Sequence, residues 1–179
     1  MGTSSAPTVG AHEMLGRAEV RRVGRLRFPV FELVQDGAVL ASMGRAGWIK
    51  VFLGRGQRIQ LDDGSRWRLK STGSAGLVCP VIVDDHGRKI ALSSVVEGGY
   101  GINGKAFGVT LHVGESKRVG RSNRWILRHY EDEIATVTRH PLTVEAAVPI
   151  HLGAALMSFT LARYGVMGES RPTIKMRWG

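Results

Sequence analysis

From Ala146 to Ala162 the chain carries no Asp, Glu, Lys or Arg, although its formal net charge is +10 over 179 residues. A stretch so apolar has two physical homes, a lipid bilayer or a protein interior. Pro149 is suited to the first position of a helix, where its missing N–H costs nothing. Gly165 is suited to cap the other end. The helix so framed, Pro149 to Tyr164, would measure about 24 Å, against a hydrocarbon core of about 30 Å. It also contains His151, Gly153, Ser158 and Thr160, and its apolar residues surround the axis instead of marking one stripe. Its shortness, and the extended Leu142–Ala147 segment leading into it, favour a helix enclosed by protein over a span.

The rest of the chain shows what could enclose it. Short alternating runs are separated by turn residues from Leu26 onward. They are Leu26–Val34, Ala38–Met43, Trp48–Leu53, Gln57–Leu61, Ser65–Lys70, Leu77–Val83, Lys89–Val96, Lys105–Gly114, Ser122–Tyr130, Glu133–Arg139 and Leu142–Ala147. Asp36-Gly37, Asp63-Gly64 and Asp85-His86-Gly87 supply the turn chemistry between them. With one or two minor strands the count is about twelve. Sequential, hairpin-linked strands in that number remove their edges by closing on themselves. The expected fold is therefore mainly β: a closed antiparallel β-barrel of about twelve strands enclosing one C-terminal hydrophobic α-helix. Residues 1–20 read as a flexible lead-in, 21–168 as the barrel with its helix at 149–164, and 169–179 as a tail.

The order of these elements resembles the tubby C-terminal-like superfamily, which includes LURP-one-related proteins and phospholipid scramblases. The resemblance rests on the turn Gln35-Asp36-Gly37-Ala38-Val39, the late hairpin Tyr130-Glu131-Asp132-Glu133-Ile134-Ala135, strand Leu142–Ala147, and the apolar helix after it. It covers roughly residues 22–168. It implies a twelve-stranded barrel around a central helix, a stretch that in scramblases has often been read as a membrane span. It also implies affinity for phosphoinositides through basic side chains on the outer surface, as in tubby domains. No tubby ligand position carries over residue by residue. A scramblase-type acidic calcium loop is not recognisable before the helix, where only Glu131, Asp132, Glu133 and Glu145 stand.

No catalytic signature is complete. Gly99-Tyr100-Gly101-Ile102-Asn103-Gly104 matches G-x-G-x-x-G, but Lys105 to Val113 then reads as a strand and not as the helix a dinucleotide site needs. His129-Tyr130-Glu131-Asp132-Glu133 could group an imidazole with carboxylates, since alternation puts His129, Glu131 and Glu133 on one side of an extended segment. A hairpin tip explains the same residues. His12, His86, His112, His140 and His151 lack metal-ligand spacing, and the single Cys79 lies in an apolar setting that suggests a buried structural thiol. No cofactor is expected, and an enzyme is not the favoured class. One cysteine and no secretory-type apolar leader fit a cytoplasmic protein, peripheral to the inner face of the membrane if it meets one.

The positive charge is the more informative feature. Arg66, Arg68 and Lys70 alternate with Trp67 and Leu69, so three cations share one face of a strand. Arg124 and Arg128 do the same around Trp125 and Leu127, and Lys50 stands beside Trp48. These six cations are the expected anion- or lipid-binding residues. The expected partner is an anionic phospholipid headgroup, phosphoinositide-like, or another phosphorylated polyanion. Nucleic acid is the second reading, weakened because the tryptophans alternate inward and leave no stacking platforms outside. An enzyme is the third, and a scramblase-like membrane protein the fourth. Oligomeric state is left open.

Overall fold

A computed structural model describes residues 10–24, 30–44, 56–72, 79–113 and 123–164. Twelve strands occur in chain order: β1 (Glu13–Val23), β2 (Val30–Gln35), β3 (Ala38–Met43), β4 (Gln57–Leu61), β5 (Arg66–Thr72), β6 (Cys79–Asp84), β7 (Lys89–Val96), β8 (Gly99–Asn103), β9 (Gly108–Val113), β10 (Arg124–His129), β11 (Asp132–Arg139) and β12 (Leu142–His151). Helix α1 (Leu152–Tyr164) follows. Each strand pairs antiparallel with its sequence neighbours, and β1 closes the ring on β12 through pairs such as Ala18↔Val144. The expected closed barrel is the fold observed.

Alternation sets the wall. Gln57, Ile59 and Leu61 of β4 point inward while Arg58 and Gln60 point out, and Trp67 and Leu69 of β5 do the same between Arg66, Arg68 and Lys70. At the β2–β3 turn both Asp36 (φ 50°) and Gly37 (φ 84°) take the positive φ that a two-residue hairpin of this twist requires.

Every residue of α1 from Leu152 to Ala162 is buried, and the helix packs against β12, β11, β6, β7 and β8. Among the described residues no helix is long and apolar enough to cross a membrane. The two hydroxyls in this apolar setting are satisfied within the helix. Ser158 Oγ donates to the Ala154 carbonyl at 2.8 Å and Thr160 Oγ1 to that of Leu156 at 2.7 Å.

Several expectations need correction. The lead-in does not extend to residue 20: β1 begins at Glu13, because β12 pairs with its first half, Glu13 to Glu19, and β2 with its second, Glu19 to Val23. The helix begins at Leu152 and not at Pro149. Ile150 and His151 are held in β12 by pairing with Met14 and Glu13, and Pro149 sits in the irregular stretch of that ladder where a missing N–H is tolerated. The 99–104 segment is strand β8 and a turn. Alanine at Gly99 would put its Cβ 2.0 Å from the Leu111 carbonyl oxygen, so this glycine permits the close approach of β9. The Gly104–Phe107 turn, closed by Gly104 N–H on the Phe107 carbonyl at 2.8 Å, delays β9 to Gly108. The hairpin tip expected at these residues is observed: Tyr130 (φ 55°) and Glu131 form the β10–β11 turn, so His129, Glu131 and Glu133 do not share a side. Cys79 is half-buried at the start of β6. The Trp48–Leu53 run, Lys50 and the 169–179 tail lie outside the described residues.

Candidate anion-binding surface

The β4–β5 hairpin places four cations on the outer wall. Arg58, Arg66 and Arg68 are exposed and Lys70 is partly so. In register Arg58 lies directly opposite Arg68, and Gln60 opposite Arg66. Directly opposed like charges destabilise a strand pair, and a counter-charge would relieve them. The fold supplies none from β6, where Val83 faces Arg68 and Val81 faces Lys70. On the other side Ser42 of β3 faces Gln60. Among the described residues none of these four side chains has an ion-pair partner. Arg58 escaped the sequence reading, although the alternation Gln57-Arg58-Ile59 signals its outward position.

The second expected row lies elsewhere. Arg124 and Arg128 are on β10, separated from β5 by β6, β7, β8 and β9 one way and by seven strand steps the other. The two rows therefore stand on nearly opposite walls. Arg124 reaches Glu133 at 3.5 Å. Arg128 stands opposite Glu133 in register, yet its Nε is buried without a hydrogen-bond partner. The structure thus brings Arg66, Arg68 and Lys70 together with Arg58, and leaves Arg124 and Arg128 apart from them.

A separate cluster closes the barrel where α1 begins. His12, in a left-handed backbone conformation (φ 63°), accepts the Leu152 N–H on its carbonyl at 2.7 Å. His151 Nδ1 accepts the Gly153 N–H at 3.0 Å, so two of the helix's unpaired amide groups are satisfied. The His151 ring stacks on Phe107 (centroids 4.8 Å apart) and lies parallel to Trp67 (6.0 Å). His12 Nε2 meets Asp63 Oδ2 at 2.7 Å. Asp63 also accepts the Ser65 N–H at 2.8 Å and the Ser65 hydroxyl at 2.9 Å, and these bonds hold its carboxyl below the ordinary range. Ser65 bonds to the carboxylate and not to the imidazole, so this is a stapled turn and not a nucleophile–base relay. His12 and Asp63 are 51 positions apart, and no local pattern announces their contact. Among the described residues no group of three His, Cys, Asp or Glu could hold a metal ion.

Comparison with protein-family models, curated proteins and solved structures finds no match to this chain.

Proposed function

We propose that this is a non-catalytic, tubby-like barrel that binds anionic phospholipid headgroups, or a ligand carrying the same phosphate chemistry, through the cations of its outer wall. The observation that carries the reading is the β4–β5 face, where Arg58 and Arg68 oppose each other without a carboxylate between them. A bound phosphate would remove that repulsion while accepting the guanidinium N–H groups of both. The order of elements, shared with the tubby-like proteins the chain resembles, and the net charge of +10 point the same way. The role is peripheral, since α1 is sequestered inside the wall. Nucleic acid fits less well, because Trp67 and Trp125 are buried, and the exposed Tyr130 stands beside Glu131 and Asp132, whose charge repels a phosphate backbone.

Co-sedimentation with phosphatidylcholine vesicles, with and without phosphatidylserine or a phosphoinositide, tests the proposal. Binding is expected only to the anionic vesicles. Replacing Arg58→Gln and Arg68→Gln together should weaken it about tenfold or more, at about 1 kcal/mol per cation near the surface. Equal binding to neutral vesicles, or none to either, would sink the reading.

A further inference from the structure

The most exposed large hydrophobic residue on the described surface stands at a hairpin tip. Tyr130, first residue of the two-residue β10–β11 turn, is 87% exposed, against 58% for Val95, the next in order. It takes φ 55°, a backbone region that bulky residues rarely adopt, whereas the β2–β3 turn uses Asp36 and Gly37 there. Its ring leans on that of His129, centroids 4.6 Å apart. Neither the strain nor the exposure serves the barrel; both suit an anchor that a partner buries.

The charge around the ring says what partner. Glu133 reaches Arg124 at 3.5 Å and stands opposite Arg128. Glu131 and Asp132, both exposed, have no ion-pair partner among the described residues. The other acidic turns differ. Asp63 is bonded to His12 and Ser65, and Asp62 accepts the Asp63 N–H. Asp84 and Asp85 are matched by Arg88 and Lys89, and Asp36 is followed by a bare Gly37. An aromatic ring beside two unanswered carboxylates fits a surface of guanidinium groups, which take both ring faces and carboxylates.

The chain itself presents such a surface. Arg58, Arg66, Arg68 and Lys70 on the β4–β5 wall lack ion-pair partners among the described residues. Toward β3 and β2, the first carboxylate in the row of Arg66 is Glu32, three strands away and opposite Arg21. The tip cannot reach this face in its own molecule, because β10 and β5 are five strand steps apart round the ring. The tip of another molecule can.

We infer that the β10–β11 tip of one copy docks on the β4–β5 face of a second, head to tail. Tyr130 lies against the Arg58 and Arg68 guanidinium groups, and Glu131 and Asp132 pair with the cations around them. Such a contact uses different surfaces on the two copies, so it builds chains or a ring. A two-residue tip buries little area, so the association is weak and concentration-dependent. It occupies the cations proposed to meet phosphate, so self-association and phosphate binding exclude each other; only this consequence rests on that proposal.

Sedimentation velocity over a concentration series tests the contact. The mean mass of the full chain should rise with concentration at about 0.05 M salt and much less at about 0.5 M. Arg58→Glu with Arg68→Glu spoils the face, and Glu131→Lys with Asp132→Lys spoils the tip; each protein alone should stay monomeric. Mixed, they should form a dimer and nothing larger, since one intact tip meets one intact face. A parent chain that is monomeric throughout, or a mixture without dimer, overturns the inference. Tyr130→Gly suits the positive φ, so it should leave the melting temperature unchanged or higher while weakening association about tenfold. Undiminished association in that variant also overturns it. Inorganic pyrophosphate should dissociate the oligomer more than sodium chloride of equal ionic strength. Equal effects of the two salts overturn the shared use of the face and leave self-association standing.

Discussion

His151 shows how one side chain ties the end of the barrel to the start of its helix. Burial, followed by the neighbouring His12, pushes its pKa below the ordinary 6.5, with Glu13 opposing. The folded protein therefore prefers the neutral ring, whose Nδ1 lone pair accepts the Gly153 N–H. The unfolded chain takes up a proton near its ordinary pKa, so stability present above about pH 6.5 falls as pH drops below it and levels off beneath the folded-state value. Asp63 behaves differently: held below 3.8, its contribution is lost only on acidification into the carboxylate range. Thermal melts at about pH 7.5 and about pH 5 should show a loss of stability on acidification that is smaller in His151→Asn, which keeps a capping acceptor. Parallel curves for the two proteins would remove His151 from the account. A second residue-scale test concerns Trp125, whose buried indole N–H has no hydrogen-bond partner. Trp125→Phe removes that unpaired donor along with some volume. It should cost less, by urea denaturation, than the roughly 3–5 kcal/mol usual for deleting a buried aromatic side chain down to Ala.

At the scale of elements, strands β3, β4 and β7 begin and end where the alternation in the sequence places them. Their period is uninterrupted and their bounding turns are rich in Asp and Gly. β1 was not legible because its ladder slips between Met14 and Gly16, and because charged residues occupy much of its length. Pairing with β12 along its first half and with β2 along its second is the cause of its extended conformation. The Pro149 signal failed for a related reason: a proline suits a helix start and an irregular strand equally well, and only β1's pairing decides between them. Gly99 marks a similar limit, since a glycine-rich motif does not say which neighbour crowds it. Gly99→Ala should destabilise the β8–β9 pair by about 1–3 kcal/mol, because the backbone carbonyl of Leu111 occupies the space. Phe159→Ala in α1, whose side chain is 1% exposed, should cost about 3–5 kcal/mol. Urea denaturation checks both; a Gly99→Ala protein as stable as the parent would show that β8 and β9 can separate freely.

For the molecule as a whole, closure converts a list of hairpins into an inside and two distinct ends. Vesicle binding driven by the cations of the β4–β5 face should weaken steeply as salt rises from about 0.05 M to about 0.5 M. Binding unaffected by salt would remove the charged wall from the account. The sequence by itself determined the features that depend on near neighbours: strand alternation, Asp-Gly turns, the outward set of Arg66, Arg68 and Lys70, and a helix too apolar to face water. Each arises from the local period of the chain and the cost of hydrating apolar surface. Only the tertiary structure decided which cations meet, that Arg58 opposes Arg68 while Arg124 stands on the far wall, that His12 reaches Asp63, and where α1 starts. Those outcomes depend on the ring closed by β1 on β12, a pairing between the two extremes of the barrel that no local pattern encodes.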